Sequence, residues 1–166
     1  KGARVANVEL AATDGSRVSL ASLPGRVIVF AYPRTGEPGK IGLVDDWDMI
    51  PGARGCTPQT CAFRDLFKDL KDAGAQHVFG ISTQDTAYQR AMVERLHVPF
   101  QVLSDSDLAL TRALKLPSMD VAGLTLIKRL ALIIDDGIVT HVFYPVFPPD
   151  RNVGDVIAWL KAHPRR

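Results

Sequence analysis

The sequence predicts an α/β fold in which a mixed β-sheet is flanked by helices. Short stretches rich in β-branched and aromatic residues alternate with amphipathic stretches through the centre of the chain, which is typical of parallel strands joined by helices. Asp-Gly pairs separate short apolar stretches near both ends, and such pairs indicate antiparallel hairpins. Together the two patterns predict a mixed sheet, with a small antiparallel element at the start of the chain and antiparallel pairing of the later strands.

Composition limits the kind of protein and the kind of partner. The 166 residues include 20 Lys and Arg against 18 Asp and Glu, a net charge of +2 that favours neither a nucleic acid nor a membrane surface as partner. Hydrophobic residues make up 46% of the chain, as in ordinary globular proteins. The longest apolar run, Val27 to Tyr32, is far shorter than the ~20 residues that cross a bilayer. We therefore expect one globular domain over residues 1–166, with no membrane span.

The first strands are predicted from turn residues and from continuous apolar stretches. Thr13-Asp14-Gly15-Ser16 separates Val8–Leu10 from Val18–Leu20, which predicts an N-terminal β-hairpin. Val27–Tyr32 is apolar without alternation, as expected of a strand covered on both faces. We interpret it as a central strand.

The rest of the chain continues the alternation of helices and strands. Phe63, Leu66, Phe67 and Leu70 recur at helical spacing, and Gly74 marks the end of that helix. The later predicted elements are a strand at Val78–Ser82, a helix carrying Tyr88, Met92 and Leu96, a strand at Val98–Leu103, a helix at Leu108–Leu114 capped by Ser104-Asp105, paired strands at Leu124–Ile134 and Ile138–Tyr144, and a final helix carrying Val153, Val156, Ile157 and Leu160.

Residues 33–55 fit none of these elements. The 23 residues contain five Gly and three Pro and show no periodicity. Structureless connections in compact domains rarely exceed about 12 to 15 residues, and longer ones are usually functional or mobile. We interpret the segment as a long loop that precedes a functional helix.

Cys56 lies where a helix is expected to begin. Thr57 is a favoured N-cap and Pro58 a favoured first helical residue, so the thiol would lie at a helix N-terminus. The unpaired backbone N–H groups there favour a thiolate, the nucleophilic form of cysteine, and Arg54 adds a nearby positive charge. An inert, packed cysteine is the alternative, and this spacing alone leaves both open.

Cys61 follows Cys56 by five residues. A helical rise of 1.5 Å per residue separates them by at least ~7.5 Å, whereas a disulfide tolerates about 7 Å between Cα atoms. The spacing is also poor for zinc, since the four histidines are scattered, and we expect no metal site. The arrangement suits a nucleophilic thiol and a second thiol that reaches it after local unfolding.

The region around the cysteines resembles a known family. Gly55-Cys56-Thr57-Pro58-Gln59-Thr60-Cys61-Ala62-Phe63-Arg64-Asp65 is similar to the active-site region of peroxiredoxins of the bacterioferritin comigratory protein type, also called peroxiredoxin Q. The resemblance covers most of the chain. Its other parts, in the family's order, are Asp14-Gly15 with Val18–Leu20, Val27–Pro33, Gly80–Thr83, Leu103–Asp105 and Arg129–Asp135.

The resemblance implies a fold, a chemistry and a partner. It implies a thioredoxin-like fold, a Cys56 that attacks hydrogen peroxide or an organic hydroperoxide, and a Cys61 that resolves the sulfenic acid as a disulfide. It further implies that a thioredoxin-type dithiol protein reduces the disulfide, that no cofactor is needed and that the chain is a monomer. Arg129 matches the family's strand arginine, which would stabilise the thiolate and bind the peroxide. A surface charge at a sheet edge is the alternative for Arg129.

The chain departs from the family ahead of Cys56. Met49 and Ala53 stand at the spacings where the family has a proline and a peroxide-binding threonine. Pro33 follows the central strand as the family proline does, so the simplest account is an insertion between Pro33 and Cys56. Thr35 or Thr57 would then supply the hydroxyl group. Without such a hydroxyl, Arg54, Arg129 and the Cys56 backbone N–H would orient the peroxide.

Three functions from different classes remain open on the sequence. The favoured one is a two-cysteine peroxidase, and the second is a thiol-disulfide oxidoreductase or redox sensor with little peroxidase activity. The third is a binding module in which both cysteines are merely packed. A disulfide that forms only during catalysis fits a reducing compartment, so we expect a cytoplasmic location.

Overall fold

The computed structural model describes residues 2–33, 56–121, 123–146 and 151–164, and for residues 56–58 it describes the backbone alone. Its strands are β1 Glu9–Ala12, β2 Arg17–Ser19, β3 Arg26–Ala31, β4 His77–Ser82, β5 Gln101–Ser104, β6 Ser118–Val121, β7 Leu124–Ile127, β8 Leu130–Asp135 and β9 Ile138–Phe143. Its helices are α1 Cys56–Asp65, α2 Phe67–Asp72, α3 Thr86–Leu96, α4 Ala109–Leu114 and α5 Asn152–Ala162. The predicted loop over residues 33–55 lies outside the described residues from residue 34 onward.

The main sheet has seven strands in the order β2-β1-β5-β4-β3-β8-β9. Strands β3, β4 and β5 pair in parallel, whereas β8, β9 and the β1–β2 hairpin pair antiparallel. The predicted mixed sheet and the predicted N-terminal hairpin are therefore confirmed. Since β3, β4 and β5 run in the same direction, their carboxyl ends meet at one edge of the sheet.

Strand β3 lies inside the sheet between β4 and β8, as its unbroken apolar sequence predicts. All six of its residues are buried. Ile28 and Phe30 point towards a layer formed by α1, α2, α3 and α5, whereas Val27 and Val29 point towards the hairpin and α4. Side chains alternate across a strand, so a strand that is covered on both faces needs apolar residues on both. The one charged residue of β3, the buried Arg26, forms an ion pair with Asp135 of β8 at 2.8 Å.

The helix predicted around Phe63 and Leu70 is interrupted at one residue. Leu66 has φ −107° and ψ 18° and separates α1 from α2. The predicted apolar positions still face the same core, because the interruption keeps the Leu70 N–H bonded to the Leu66 carbonyl. Gly74 ends the second helix with φ 117°, a left-handed conformation that favours glycine.

Two predicted strands have different bounds in the structure. Leu124–Ile134 is not one strand, because β7 pairs with β6 in a separate two-stranded sheet and the Lys128 N–H bonds to the Pro117 carbonyl before β8 begins. The strand predicted at Val98–Leu103 begins only at Gln101. Val98 still closes α3 through its bond to the Val93 carbonyl. Within the described ranges, no helix has the length and apolar character to cross a membrane.

Candidate active site

Helix α1 carries both cysteines. It spans Cys56–Asp65, so Cys56 lies in its first turn, where backbone N–H groups lack helical partners. The predicted N-cap at Thr57 is wrong, because the helix already includes Cys56 and Thr57 and a cap residue is non-helical. Cys61 is half-buried and has a free thiol.

The helical path between the cysteines prevents a disulfide in this conformation. Five residues of regular helix give a rise of ~7.5 Å, above the separation that a disulfide accepts. The first part of α1 would have to unwind before the two sulfur atoms could bond.

Helix α1 is fixed to the sheet by the residues that follow Cys61. The ring of Phe63 stacks on Phe30 of β3 with centroids 4.2 Å apart. The Arg64 guanidinium donates to the carbonyl of Leu96 at 2.8 Å, which supplies a partner to the C-terminal end of α3. Pro33 is buried just beyond β3.

Arg64 also carries a positive charge close to Cys61. Its hydrogen bond to Asp65, at 2.9 Å, is the main cause that raises the pKa of Arg64, and the Cys61 sulfur acts in the same direction. The guanidinium is therefore charged throughout the physiological range. Arg64 lies one helical turn after Cys61, so a thiolate at Cys61 would have a cationic neighbour.

Arg129 reaches α1 from the strand layer. It is 3% exposed, so the alternative of a surface charge is wrong. The residue directly precedes β8 and lies on the face of Ala131 and Ile133, which is the face covered by α1 and α5. Its Nη1 donates to Oε1 of Gln59 in α1 at 2.8 Å.

Sequence reasoning missed Gln59 and Asn152. Gln59 is fully buried, and its Nε2 donates to Oδ1 of Asn152, the first residue of α5, at 3.1 Å. A signal for Gln59 was present, because it precedes Phe63 by four residues and so continues the apolar face of the helix. A polar residue on such a face needs a buried partner.

The structure thus brings together some of the predicted site residues. A hydrogen bond to Gln59 links Arg129 to helix α1, which carries Cys56 and Cys61. Thr57 lies in the first turn of α1 with its side chain outside the described atoms. Thr35 and Arg54 lie outside the described residues. Among the described residues, no three His, Cys, Asp or Glu side chains are grouped so that they could hold a metal ion.

Two further segments of the resemblance support the strands beside α1. Asp105 is buried and accepts hydrogen bonds from the backbone N–H groups of Leu110 and Thr111, at 3.0 and 2.8 Å. The prediction that Ser104-Asp105 caps α4 is thus correct only for Asp105, because Leu108 occupies the N-cap position and the Ser104 hydroxyl donates to the Gln84 carbonyl. Ser82, at the end of β4, accepts from Gln89 Nε2 of α3 at 2.9 Å. These polar residues fix the loops at the carboxyl edge of the sheet.

A surface cleft of about 370 Å³ lies at the same edge but away from α1. It is formed by the start of α3 and by the hairpin of β6 and β7. None of the lining residues that the structure describes belongs to α1.

Comparison with known proteins identifies the family. The model of the redoxin family matches residues 1–157. Peroxiredoxin Q of Oryza sativa subsp. japonica, a chloroplastic protein, is 32% identical over 164 residues, which are 98% of this chain and 67% of the rice protein. The chain belongs to the redoxin family, within its peroxiredoxin Q group. Peroxiredoxin Q of Triticum aestivum is 33% identical over 159 residues, 95% of this chain and 64% of the wheat protein.

A solved structure of another peroxiredoxin gives the same result. Peroxidoxin BcpB from Mycobacterium tuberculosis superposes with a TM-score of 0.79 at 27% identity, over 99% of this chain and 97% of that chain. The expected thioredoxin-like fold is therefore confirmed. As a peroxiredoxin the chain is a thiol-dependent peroxidase, an oxidoreductase that acts on peroxides.

Proposed function

We propose that Cys56 is the thiol that reacts with the peroxide. Its thiolate attacks the distal, hydroxyl-bearing oxygen of a hydroperoxide, an S–O bond forms and the O–O bond breaks. Cys56 becomes a sulfenic acid, and the leaving alkoxide takes a proton from solvent to give an alcohol, or water when hydrogen peroxide reacts. The position of Cys56 in the first turn of α1 supports this role, because unpaired N–H groups and the helix dipole favour the thiolate.

The bond from Arg129 to α1 is the observation that carries the proposal. The buried guanidinium of Arg129 is bound to Gln59, which lies three residues after Cys56 on the helix. A guanidinium in this place can stabilise a thiolate and the negative charge that develops on the leaving oxygen. Thr57 or Thr35 would donate a hydroxyl to the peroxide, Arg54 would add positive charge, and Pro33 would shape the end of β3 beside the site.

Cys61 resolves the sulfenic acid. Its thiol attacks the Cys56 sulfur, a disulfide forms within the chain and water leaves. This step requires α1 to unwind, since the helix holds the cysteines too far apart. Cys61 is half-buried in the closed helix. Its side chain would become free to move towards Cys56 when the turn opens.

An external dithiol completes the cycle. A thioredoxin-type protein would exchange its two thiols for the Cys56–Cys61 disulfide, which restores both cysteines and leaves the partner oxidised. No cofactor takes part, and the chain would act as a monomer in the cytoplasm, where such reductants operate. Hydrogen peroxide and organic hydroperoxides are the proposed substrates.

Rapid mixing of the reduced protein with one equivalent of hydrogen peroxide tests the proposal. Thiol counting and mass analysis should show fast loss of both thiols in the wild type. Cys56→Ser should abolish the reaction, and Cys61→Ser should stop at a sulfenic acid. Oxidation no faster than that of a free thiol would contradict the proposal and favour a thiol-disulfide oxidoreductase or redox sensor.

A further inference from the structure

Three buried side chains form a directional chain of hydrogen bonds between β8, α1 and α5. An arginine can only donate, so Gln59 must present Oε1 to Arg129 and therefore Nε2 to the other side. There only an acceptor fits, and Asn152 supplies its Oδ1. The guanidinium thus fixes the orientation of both amides.

Gln59 lies between the two cysteines on α1. It follows Cys56 by three residues and precedes Cys61 by two. Any opening of the helix that brings the sulfur atoms together has to move Gln59 out of its buried place. The bond to Asn152 then breaks, and amide groups that are 0% and 2% exposed lose a partner. Loss of a hydrogen bond is more costly in the interior than at the surface.

We propose that the Gln59–Asn152 hydrogen bond is a latch that keeps α1 closed and sets how fast Cys61 reaches an oxidised Cys56. This inference rests on the proposed function. Asn152 is a positioning residue, because it acts through Gln59. Helix α5, which begins at Asn152, packs against α1 through apolar residues of the same core. The latch adds a polar contact between these two helices.

The latch decides between two fates of the Cys56 sulfenic acid. In one, Cys61 attacks, a disulfide forms and water leaves. In the other, a second hydroperoxide transfers its oxygen, the O–O bond breaks, an alcohol or water leaves and a sulfinic acid remains. The longer α1 stays closed, the greater is the fraction of sulfinic acid.

Amide exchange of the reduced protein tests the latch without any peroxide. Asn152→Leu, which has a similar shape but no acceptor, should raise exchange in residues 57–63 about 3- to 10-fold and leave α3 unchanged. Asn152→Asp retains an acceptor and should stay within about twofold of the wild type. Asp155→Ala, an exposed residue in the same turn of α5, is the matched control. If Leu disturbs folding, Asn152→Ala takes its place with the same expectation.

Kinetics test the consequence of the latch. After oxidation by hydrogen peroxide, Asn152→Leu should form the disulfide about 3- to 10-fold faster than the wild type and the Asp155→Ala control. Its sulfinic fraction at a given peroxide concentration should fall. Unchanged exchange in residues 57–63 overturns the latch, as does a variant that slows only the reaction with peroxide.

The two failures are distinguishable. A wild-type protein that forms no Cys56–Cys61 disulfide contradicts the proposed function and with it the role of the latch in resolution. The exchange measurement on the reduced protein still decides whether Asn152 holds α1 closed.

Discussion

A buried arginine needs groups that accept its N–H protons, and Gln59 gives Arg129 one of them at 2.8 Å. The pairing serves both sides, because Gln59 lies on the apolar face of α1 and would otherwise bury an unpaired carbonyl oxygen. The residue that would bind the peroxide and the helix that carries the cysteines therefore depend on each other for stability.

Arg129→Met should lower both activity and stability. The substitution removes the guanidinium from the site and leaves Gln59 Oε1 without this donor, which should cost about 1 to 3 kcal/mol in the free energy of unfolding. We expect the rate of reaction with hydrogen peroxide to fall by about 100-fold or more, as for loss of a preorganised donor. Urea unfolding and stopped-flow kinetics measure the two effects.

Arg129→Lys and Lys128→Met complete that experiment. Lysine keeps the charge but not the planar arrangement of donors, so its peroxide rate should lie between those of the wild type and Arg129→Met. Lys128 is the exposed neighbour, and Lys128→Met should behave as the wild type. Equal behaviour of Lys128→Met and Arg129→Met would contradict a role for the buried guanidinium.

His77 gives the protein a pH-dependent stability. Burial is the main cause that lowers the pKa of His77, and the positive charge of Lys71 adds to it. The unfolded chain therefore binds this proton more tightly than the folded chain does. As pH falls below about 6.5, the usual histidine pKa, the free energy of unfolding should decrease.

The variant His77→Gln isolates this contribution. Its free energy of unfolding should change less between about pH 8 and about pH 5 than that of the wild type, since other titrating groups are shared. The comparison is made by urea unfolding at both pH values. An identical pH dependence in the two proteins would show that His77 does not contribute.

Polar side chains bind the ends of several helices. Arg64 of α1 binds the last carbonyl of α3 at Leu96, Asp85 accepts from the Tyr88 N–H at the start of α3, and Asp105 binds two N–H groups at the start of α4. Short helices gain little from propensity alone. These contacts therefore determine where α3 and α4 begin and how they meet the carboxyl edge of the sheet.

Asp105→Ala should destabilise the protein by about 1 to 3 kcal/mol, because buried N–H groups at the start of α4 lose their acceptor. Asp105→Asn should also destabilise, since an amide offers one acceptor oxygen where the carboxylate offers two. The exposed Asp107→Ala, two residues further along the same loop, is the control and should have no comparable effect. Thermal unfolding midpoints of the three variants check the order.

At the scale of the whole molecule, oxidation is expected to change one element and leave the sheet intact. Strand β3 is buried on both faces, and Phe30 fixes the later part of α1 through Phe63. The first part of α1 contains the polar Gln59 and Thr60, and it is this part that a Cys56–Cys61 disulfide would unwind.

The oxidised protein should therefore exchange its amide protons faster than the reduced protein over residues 57–63. Strand β3 and helix α3 should show no change, because β3 is hydrogen-bonded to β4 and β8 and the N–H groups of α3 bond within that helix. Hydrogen exchange followed by mass spectrometry of both redox states makes the comparison. Equally slow exchange over residues 57–63 in both states would rule out an intramolecular disulfide on this helix.

Local patterns predict much of this fold because their causes are local. Several elements can be predicted from their own residues alone: the turn at Asp14-Gly15, the continuous apolar run of β3 and the helical spacing of α3. The two-stranded sheet of β6 and β7 was missed as a pair, because Ser118 and Asp120 of β6 are polar and exposed. Met119 and Val121 alternate with them as in a half-buried strand, but this pattern covers only four residues, the shortest run that indicates a strand.

The site divides in the same way. The helical position of Cys56 and the five-residue spacing to Cys61 can be inferred from neighbouring residues. The contacts of Gln59 join residues separated by 70 positions, for Arg129, and by 93 positions, for Asn152. Such pairs form only when the sheet brings β8 and α5 beside α1, so a single sequence gives the polar residue but not its partners.

One helix that carries both thiols imposes an order on the two substrates. On the proposed mechanism, the disulfide removes the first turn of α1, and with it the surroundings that made Cys56 reactive. An oxidised molecule can then accept no further peroxide until the dithiol protein has acted. The enzyme would alternate strictly between its oxidant and its reductant, so plots of reciprocal rate against reciprocal peroxide concentration should give parallel lines at different reductant concentrations.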